Sequence, residues 1–463
     1  MKRYTLYIIV TLATLLPQPL LAQQREFLSL ERCLELGNAN SLQVRNAALD
    51  VKAAAYQKDE ALCEYFPTLK FNAFAFHSLN PMLDLGVRDI LGNSDMAYQI
   101  EERVEQMAAP YGVNTRYRAL EHGYSTALAL TQPVVAGGRI INGNKLAALG
   151  VEAARHQLNI SRRNSSEQIQ KAYFQILALQ QKEQTLCSAQ KLLDSLHRDV
   201  SAAVKAGIAM DTDLVAVELK MAELKAGASK LRLGLRIAKM NLLNTIGMDY
   251  NPYTGVPSDK TPLDSFVFEG DFGNMKSPSE AYVDEEALAA AQDESSLLQL
   301  QVEAKTLQRR MTLGETLPSL AIGASYGYSR FVGSARPNGT LFAVFQLPIT
   351  DWGKNSRKLE RQRVEIEKAM NDRDFYRNQL VLQMRQLYME LLCSYDNMDI
   401  ARQTMELASR RFDRMGISYR SGMCTVSELL QCETEKRNSE EAYFDACVEY
   451  LESLMRYELR SSK

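Results

Sequence analysis

EYFPTLKFNAFAFHS, residues 64–78, is echoed by ETLPSLAIGASYGYS, residues 315–329, with Glu, Pro, Leu and the closing Ser in register at a separation of 251 residues. A second pair of matching segments has a shorter separation. PVVAGGR, residues 133–139, matches PITDWGK, residues 348–354, at 215 residues, and that separation persists downstream. Repetition at fixed spacing indicates a duplicated architecture. The two separations differ by 36 residues, so the first copy carries a long insert between its paired segments.

The repeats predict how the 463 residues are divided. We expect each copy to contain a helix, a strand pair and a helical hairpin, with a Pro-, Gly- and Asp-rich linker between the copies. The predicted boundaries are 1–22 for a signal peptide, 23–247 for the first repeat with its insert at 79–123, 248–279 for the irregular linker and 280–463 for the second repeat.

The N-terminus predicts export. Lys2 and Arg3 precede an apolar stretch and then a Pro-broken segment that ends at Ala22, which is the pattern of a secretory signal peptide. Its removal changes the net charge from −2 to −4, a mild value that argues against a nucleic-acid partner. Beyond the signal peptide, no run approaches the roughly 18 uninterrupted apolar residues of a spanning helix, so any membrane insertion would have to use strands.

Catalytic and metal-binding patterns are missing from the sequence. The four histidines have no metal-ligand spacing, and Gly137-Gly138 does not belong to a phosphate-binding motif. No Ser or Cys has a recognisable nucleophile context, and seven cysteines cannot all pair. We therefore predict neither an enzyme nor a cofactor or metal site.

Proline marks the helical regions. None occurs between Pro133 and Pro252 or after Pro348, which leaves two long blocks compatible with helix. Gly207 and Gly422 interrupt these blocks at equivalent places, and each predicts a helix stop followed by a new helix. We place the new N-caps at Asp211-Thr212 and at Thr425, where Thr425 and Glu428 form a capping-box pattern. The second block also has a coiled-coil seam, formed by Met384, Tyr388, Leu391, Tyr395 and Met398.

The strand segments alternate in polarity. In residues 321–328, Ile322, Tyr326 and Tyr328 fall on one face and small residues on the other, and residues 341–347 repeat the pattern. Such segments are typical of outer-membrane strands, and equally of a soluble half-buried hairpin. Since four strands cannot close a membrane barrel, a membrane location requires an oligomer.

In the order of these segments, the chain resembles the TolC-like outer-membrane efflux proteins. The matching motifs are FPTL and LPSL at the start of the outward strands, QPVVAGGR at the end of the first pair, and YRSGMCTVSELLQ at the second hairpin turn. The resemblance implies a mainly α fold with a small β part: a helical-hairpin tunnel (α-barrel) joined to four transmembrane strands per chain, giving a twelve-stranded barrel in a homotrimer.

The resemblance also implies a function and partners. It predicts a passive exit duct in the outer membrane, with a long periplasmic extension, for a tripartite efflux or type I secretion system. The partners would be outer-membrane lipid, a periplasmic adaptor (membrane fusion) protein and an inner-membrane pump of the RND or ABC type. The alternative class is a soluble periplasmic coiled-coil scaffold or adaptor, whose strands would form a small globular cap.

The resemblance places the functional residues at the hairpin turns. Asp213 and Glu428, each six residues after its glycine, would form an acidic ring at the channel gate. Helix capping explains the same two acids without a gate. The turns Gly207, Asp211, Gly422 and Cys424 would contact the adaptor, and Cys424 replaces a basic residue that relatives can carry there. Trp352 is interpreted as an interfacial anchor or as turn packing, and Tyr388, Tyr395, Phe412 and Tyr419 as interhelical packing.

Overall fold

The computed structural model describes residues 26–253, 256, 258–270 and 275–461. The predicted signal peptide therefore lies outside the described residues. The described residues divide into two compact units, one within 1–52, 153–299 and 372–463 and the other within 53–152 and 300–371. Four helices run through both units: α2 (Leu42–Cys63), α5 (Arg139–Lys205), α8 (Asp293–Gly314) and α9 (Lys354–Arg420).

The first unit is mainly helical. Besides its share of the four helices, it contains β1 (Glu26–Leu28), α1 (Leu30–Asn40), α6 (Asp211–Thr245), β6 (Phe266–Phe268), α7 (Glu285–Ala291) and α10 (Val426–Ser461). The prediction of a mainly α fold with two long helical hairpins, α5–α6 and α9–α10, is confirmed. At 67 residues each, α5 and α9 are about 100 Å long.

The linker between the predicted repeats is anchored to α5. Strand β6 lies parallel to β1, and the hydroxyl of Tyr173 on α5 contacts two carbonyl oxygens, that of Leu28 in β1 and that of Glu269 in the linker. Tyr173 and Phe266 are each only 1% exposed and belong to one apolar cluster with Ile176 and Leu242. The predicted irregular linker thus takes part in the core of the first unit.

The predicted coiled-coil seam is confirmed. Met384 and Leu391 are fully buried in a cluster with Tyr450 and Tyr457 of α10. The ring centroids of Tyr388 and Tyr457 are 5.5 Å apart, and those of Tyr395 and Tyr450 5.3 Å. These aromatic side chains therefore pack between helices, as their spacing predicts.

The second unit contains an antiparallel sheet of four strands. They are β2 (Thr68–His77), β5 (His122–Ala136), β7 (Ser319–Arg330) and β8 (Arg336–Gln346), in the order β2-β5-β7-β8. The predicted strand segment 321–328 lies within β7, whereas 341–347 extends one residue beyond the end of β8 at Gln346. Among the described residues, the outer edges of β2 and β8 pair with no other strand.

The two faces of this sheet differ in polarity. One row of paired residues runs across it as Leu69, Leu130, Ala324 and Leu341, and the adjacent row as Lys70, Ala129, Ser325 and Thr340. We call the first side the apolar face. It also carries large side chains that are exposed in the single chain: Phe71, Leu128, Ile322, Tyr326 and Phe345.

The long insert predicted at 79–123 folds into its own small structure. It contains β3 (Leu83–Leu85), α3 (Val87–Leu91), α4 (Asp95–Ala108) and β4 (Tyr117–Ala119), with β3 and β4 antiparallel. Arg116 Nε donates to Asp84 Oδ1 at 2.8 Å, and the buried carboxylate of Glu101 pairs with Arg88.

Trp352 lies in the connection between β8 and α9. Its φ is +55° and it is 96% exposed, so the prediction that it packs within the turn is wrong. Its role as an interfacial anchor stays a prediction.

No helix in the ranges 26–253, 258–270 and 275–461 combines the length and the apolarity that crossing a bilayer would require.

Candidate functional site

Both hairpin turns are built around a glycine in the left-handed conformation. Gly207 has φ +71° and Gly422 φ +72°. The N–H of Gly207 donates to Val204 O at 2.9 Å, and that of Gly422 to Tyr419 O at 3.0 Å, which closes the ends of α5 and α9. A Cβ added at either glycine would meet no atom within 4 Å, so both turns face open space. The glycines are therefore required by the chain reversal.

Asp213 caps the first return helix. The structure corrects the predicted N-cap: Met210 occupies that position, and Asp211 is already the first residue of α6. Asp213 Oδ2 accepts from the Met210 N–H at 3.3 Å. The carboxylate thus stabilises the helix start from inside the first turn, because the backbone donors there have no helical partner.

Glu428 is held more closely. It accepts from the Thr425 N–H at 2.8 Å, while Thr425 Oγ1 accepts from the Glu428 N–H at 3.2 Å, so the predicted capping box is confirmed. The hydrogen bonds from Thr425 lower the pKa of Glu428 below its ordinary value. A depressed carboxyl pKa stabilises the fold at neutral pH, and this contribution is lost as the pH falls through the folded-state pKa.

The two hairpins meet just behind their turns. Their shared apolar cluster includes Leu196 and Val200 of α5, Val217 of α6 and Leu429 of α10. Tyr419, near the end of α9, is partly buried against this cluster. Burial raises the pKa of its phenol, and the charges of Asp199 and Asp213 raise it further.

Tyr419 of the α9–α10 hairpin therefore packs against the other hairpin, within electrostatic range of Asp213. The sequence assigns Tyr419 to packing, and the packing is present, but its acidic surroundings were not predicted. Asp199 could not be recognised from the sequence as a neighbour of Tyr419, since it is one of many acids on the polar side of α5. Only the contact between the hairpins brings these residues together.

The thiol of Cys424 points back into the second turn. Its Sγ lies 3.6 Å from the carbonyl oxygen of Met415. Burial, followed by the charge of Glu428, raises the pKa of Cys424, which keeps the thiol protonated at neutral pH. The side chains that are exposed around the two turns are apolar ones, namely Ile208, Met210 and Met423.

The described residues contain no group of three or more His, Cys, Asp and Glu side chains that could hold a metal ion. His156 contacts Asp293, and His197 contacts Glu218. Both histidines lie on α5 and pair singly with a carboxylate.

Comparisons with known proteins agree with this architecture. A model of the outer membrane efflux protein family matches residues 286–456. The Campylobacter jejuni CmeC outer membrane channel is similar with a TM-score of 0.71 at 13% identity, over 93% of this chain and 85% of that one. The Vibrio cholerae outer membrane protein VceC is similar with a TM-score of 0.69 at 14% identity, over 93% of this chain and 96% of that one. The open state of the Neisseria gonorrhoeae MtrE outer membrane channel has a TM-score of 0.64 at 16% identity, over 93% of this chain and 88% of that one. No curated protein matches in sequence.

At these identities the likeness establishes the fold, which is that of the outer-membrane channels. The family match falls within the second predicted repeat. The resemblance to the TolC-like outer-membrane efflux protein family is thereby confirmed.

Proposed function

We propose that the protein is the outer-membrane exit duct of a tripartite efflux or type I secretion system. Three copies would each contribute four strands to a twelve-stranded barrel, and the helical hairpins would continue the duct into the periplasm. The duct would be passive, because a bore that binds its cargo equally from either side cannot drive transport by itself. A periplasmic adaptor and an inner-membrane pump would supply the energy.

The apolar face of the sheet is the main support for this proposal. Leu341 on β8 is 87% exposed and Phe71 on β2 is 67% exposed in the single chain. Large exposed apolar patches mark contacts with lipid or protein, and strand edges left open in lipid are costly. Joining the β2 edge of one copy to the β8 edge of the next would pair both edges and would turn the apolar faces toward lipid.

Membrane extraction and conductance test this function. We expect the mature protein to need detergent for release, to purify as a trimer, and to conduct ions in planar bilayers. Release by osmotic shock as a monomer would instead favour a soluble periplasmic scaffold.

Asp213 and Glu428 are proposed as the acidic ring of the gate. Threefold symmetry would bring six carboxylates toward one axis, and their negative potential would favour cations. We expect Asp213→Ala combined with Glu428→Ala to reduce cation selectivity severalfold, as measured by reversal potentials in planar bilayers. The same double variant should also be less sensitive to block by trivalent cations.

Both substitutions also remove helix caps, so a matched control is needed. Thr425→Val breaks the capping box of Glu428 but keeps all six carboxylates, and it should preserve selectivity. An unchanged reversal potential in the double variant would exclude the ring, and an equal loss in Thr425→Val would assign the effect to capping.

The hairpin turns are proposed to dock the adaptor. Gly207, Asp211, Gly422 and Cys424 shape the two turns, and Ile208 and Met423, 83% and 81% exposed, offer apolar contacts beside them. A photo-cross-linker placed at position 423 should capture the adaptor when the two proteins are coexpressed. Capture equal to that from the buried position 429 would argue against docking here.

A further inference from the structure

The exposed apolar side chains of the sheet continue past the end of β8 into the connection that leads to α9. Ile349 is 93% exposed and Trp352 is 96% exposed, and Leu347 is exposed as well. They follow Leu341 and Phe345, which belong to the apolar face on β8. Large exposed apolar side chains mark contacts with lipid or protein, and tryptophan is enriched where a membrane meets water. We call Leu347, Ile349 and Trp352 the apolar belt.

Basic residues begin directly after the apolar belt. Residues 354–363 contain five of them and a single acid, and with Asp351 just before them the net charge is 5 − 2 = +3. Lys354, Arg357 and Arg361 are spaced by three and four residues, so they lie on one face of α9. All three are exposed. We call these three residues the basic stripe.

The charges of the basic stripe are not neutralised within the chain. Lys354 and Arg357 form no ion pair with any residue that the structure describes, and neither does Glu360, the acid within this segment. Arg361 lies 3.8 Å from Glu365, but both side chains are exposed. Exposed pairs at this distance contribute little and leave the cation available to other anions. The stripe therefore presents positive charge to its surroundings.

Helix stability does not explain the basic stripe. Asp351 already caps α9, since its Oδ2 accepts from the Asn355 N–H at 2.8 Å. Positive charge in a first turn opposes the helix dipole, which favours acids there. The first turns of α6 and α10 carry Asp211 and Glu428, whereas the first turn of α9 contains no acid and begins at Lys354. The placement of these bases thus favours an anionic partner outside the chain.

We propose that the basic stripe binds the phosphate groups of anionic phospholipids in the periplasmic leaflet of the outer membrane, beside the apolar belt. This inference rests on the proposed function, because it requires the sheet to lie in that membrane. Clusters of Lys and Arg next to a membrane-embedded segment attract anionic lipid, and Arg forms paired hydrogen bonds with phosphate. The apolar belt supports a lipid partner in particular, since a soluble anion would have no use for exposed Ile349 and Trp352 beside the charges.

Trp352 provides the probe, because it is the only tryptophan in the chain. The full mature protein is reconstituted in phosphatidylcholine bilayers with a minor fraction of phosphatidylglycerol. Brominated acyl chains, which quench nearby tryptophan, are carried either by the phosphatidylglycerol or by an equal amount of the phosphatidylcholine. We expect stronger quenching by brominated phosphatidylglycerol, corresponding to a preference of about threefold to tenfold for the anionic lipid around Trp352.

Lys354→Gln combined with Arg357→Gln should bring the two quenching values together. The matched control is Arg410→Gln combined with Arg414→Gln, which removes the same charge from exposed positions much farther along α9 and should leave the preference unchanged. High salt provides a second test that needs no variant. It should remove most of the preference in the wild type, because exposed charges are screened.

The outcomes separate this inference from the duct itself. A Trp352 that neither brominated lipid quenches would contradict the membrane location, and with it both proposals. Equal quenching by the two lipids in a conducting wild-type trimer would overturn the lipid preference alone. An undiminished preference in the variant that lacks the charges of Lys354 and Arg357, or in high salt, would also overturn it.

Discussion

Leu341→Arg is expected to prevent the protein from assembling in the outer membrane. Leu341 is 87% exposed on the apolar face, at the β8 edge of the sheet. An arginine on the lipid face of a barrel costs about 2–4 kcal/mol near the bilayer midplane, and a trimer would carry three of them. The measurement is the amount of detergent-extracted trimer in the membrane fraction.

The neighbouring residue provides the matched control. Thr340 precedes Leu341 on the same strand and belongs to the polar row with Lys70 and Ser325. Since successive side chains alternate between faces, Thr340→Arg would place the same charge on the opposite side and should be tolerated. Equal assembly of the two variants would mean that the apolar face does not contact lipid.

Gly314→Ala is expected to destabilise the second unit by more than about 2 kcal/mol. Gly314 ends α8, and a Cβ added there would lie 2.3 Å from the carbonyl oxygen of Gly137. Gly137 has φ +58°, and a Cβ on it would lie 2.2 Å from Gly314 O. Because the clashing atoms belong to the backbone, no side-chain rotation can relieve the contact.

Gly150→Ala is the control for this substitution. Gly150 lies inside α5, and an added Cβ would meet no atom within 4 Å. Alanine there should stabilise the helix by about 0.5–1 kcal/mol. Thermal unfolding of the two variants should therefore shift in opposite directions, and a Gly314→Ala variant as stable as the wild type would contradict the close approach.

Much of the fold was predictable because it depends on local chemistry. The proline-free blocks became α5–α6 and α9–α10, and glycines with positive φ reversed the chain where the pattern broke. The Thr425–Glu428 capping box was predicted because its atoms are three residues apart. The N-cap at Asp211-Thr212 was wrong, because Asp213 reaches back and allows Met210 to occupy that position.

The candidate site was only partly predictable. Asp213 and Glu428 were found by their spacing from the turn glycines. Tyr419 was recognised as a packing residue, but its proximity to Asp199 and Asp213 depends on how one hairpin meets the other.

The sequence by itself determined the helices, the strands, the turns and the alternation of the sheet, since each follows from steric and hydrogen-bonding preferences within a few residues. Only the tertiary structure decided that β5 pairs with β7, which joins strands from the two predicted repeats in one sheet. The tertiary structure likewise decided that Gly137 meets Gly314. These contacts join residues distant in the chain, and their free energy comes from burial and close packing, which no local pattern encodes.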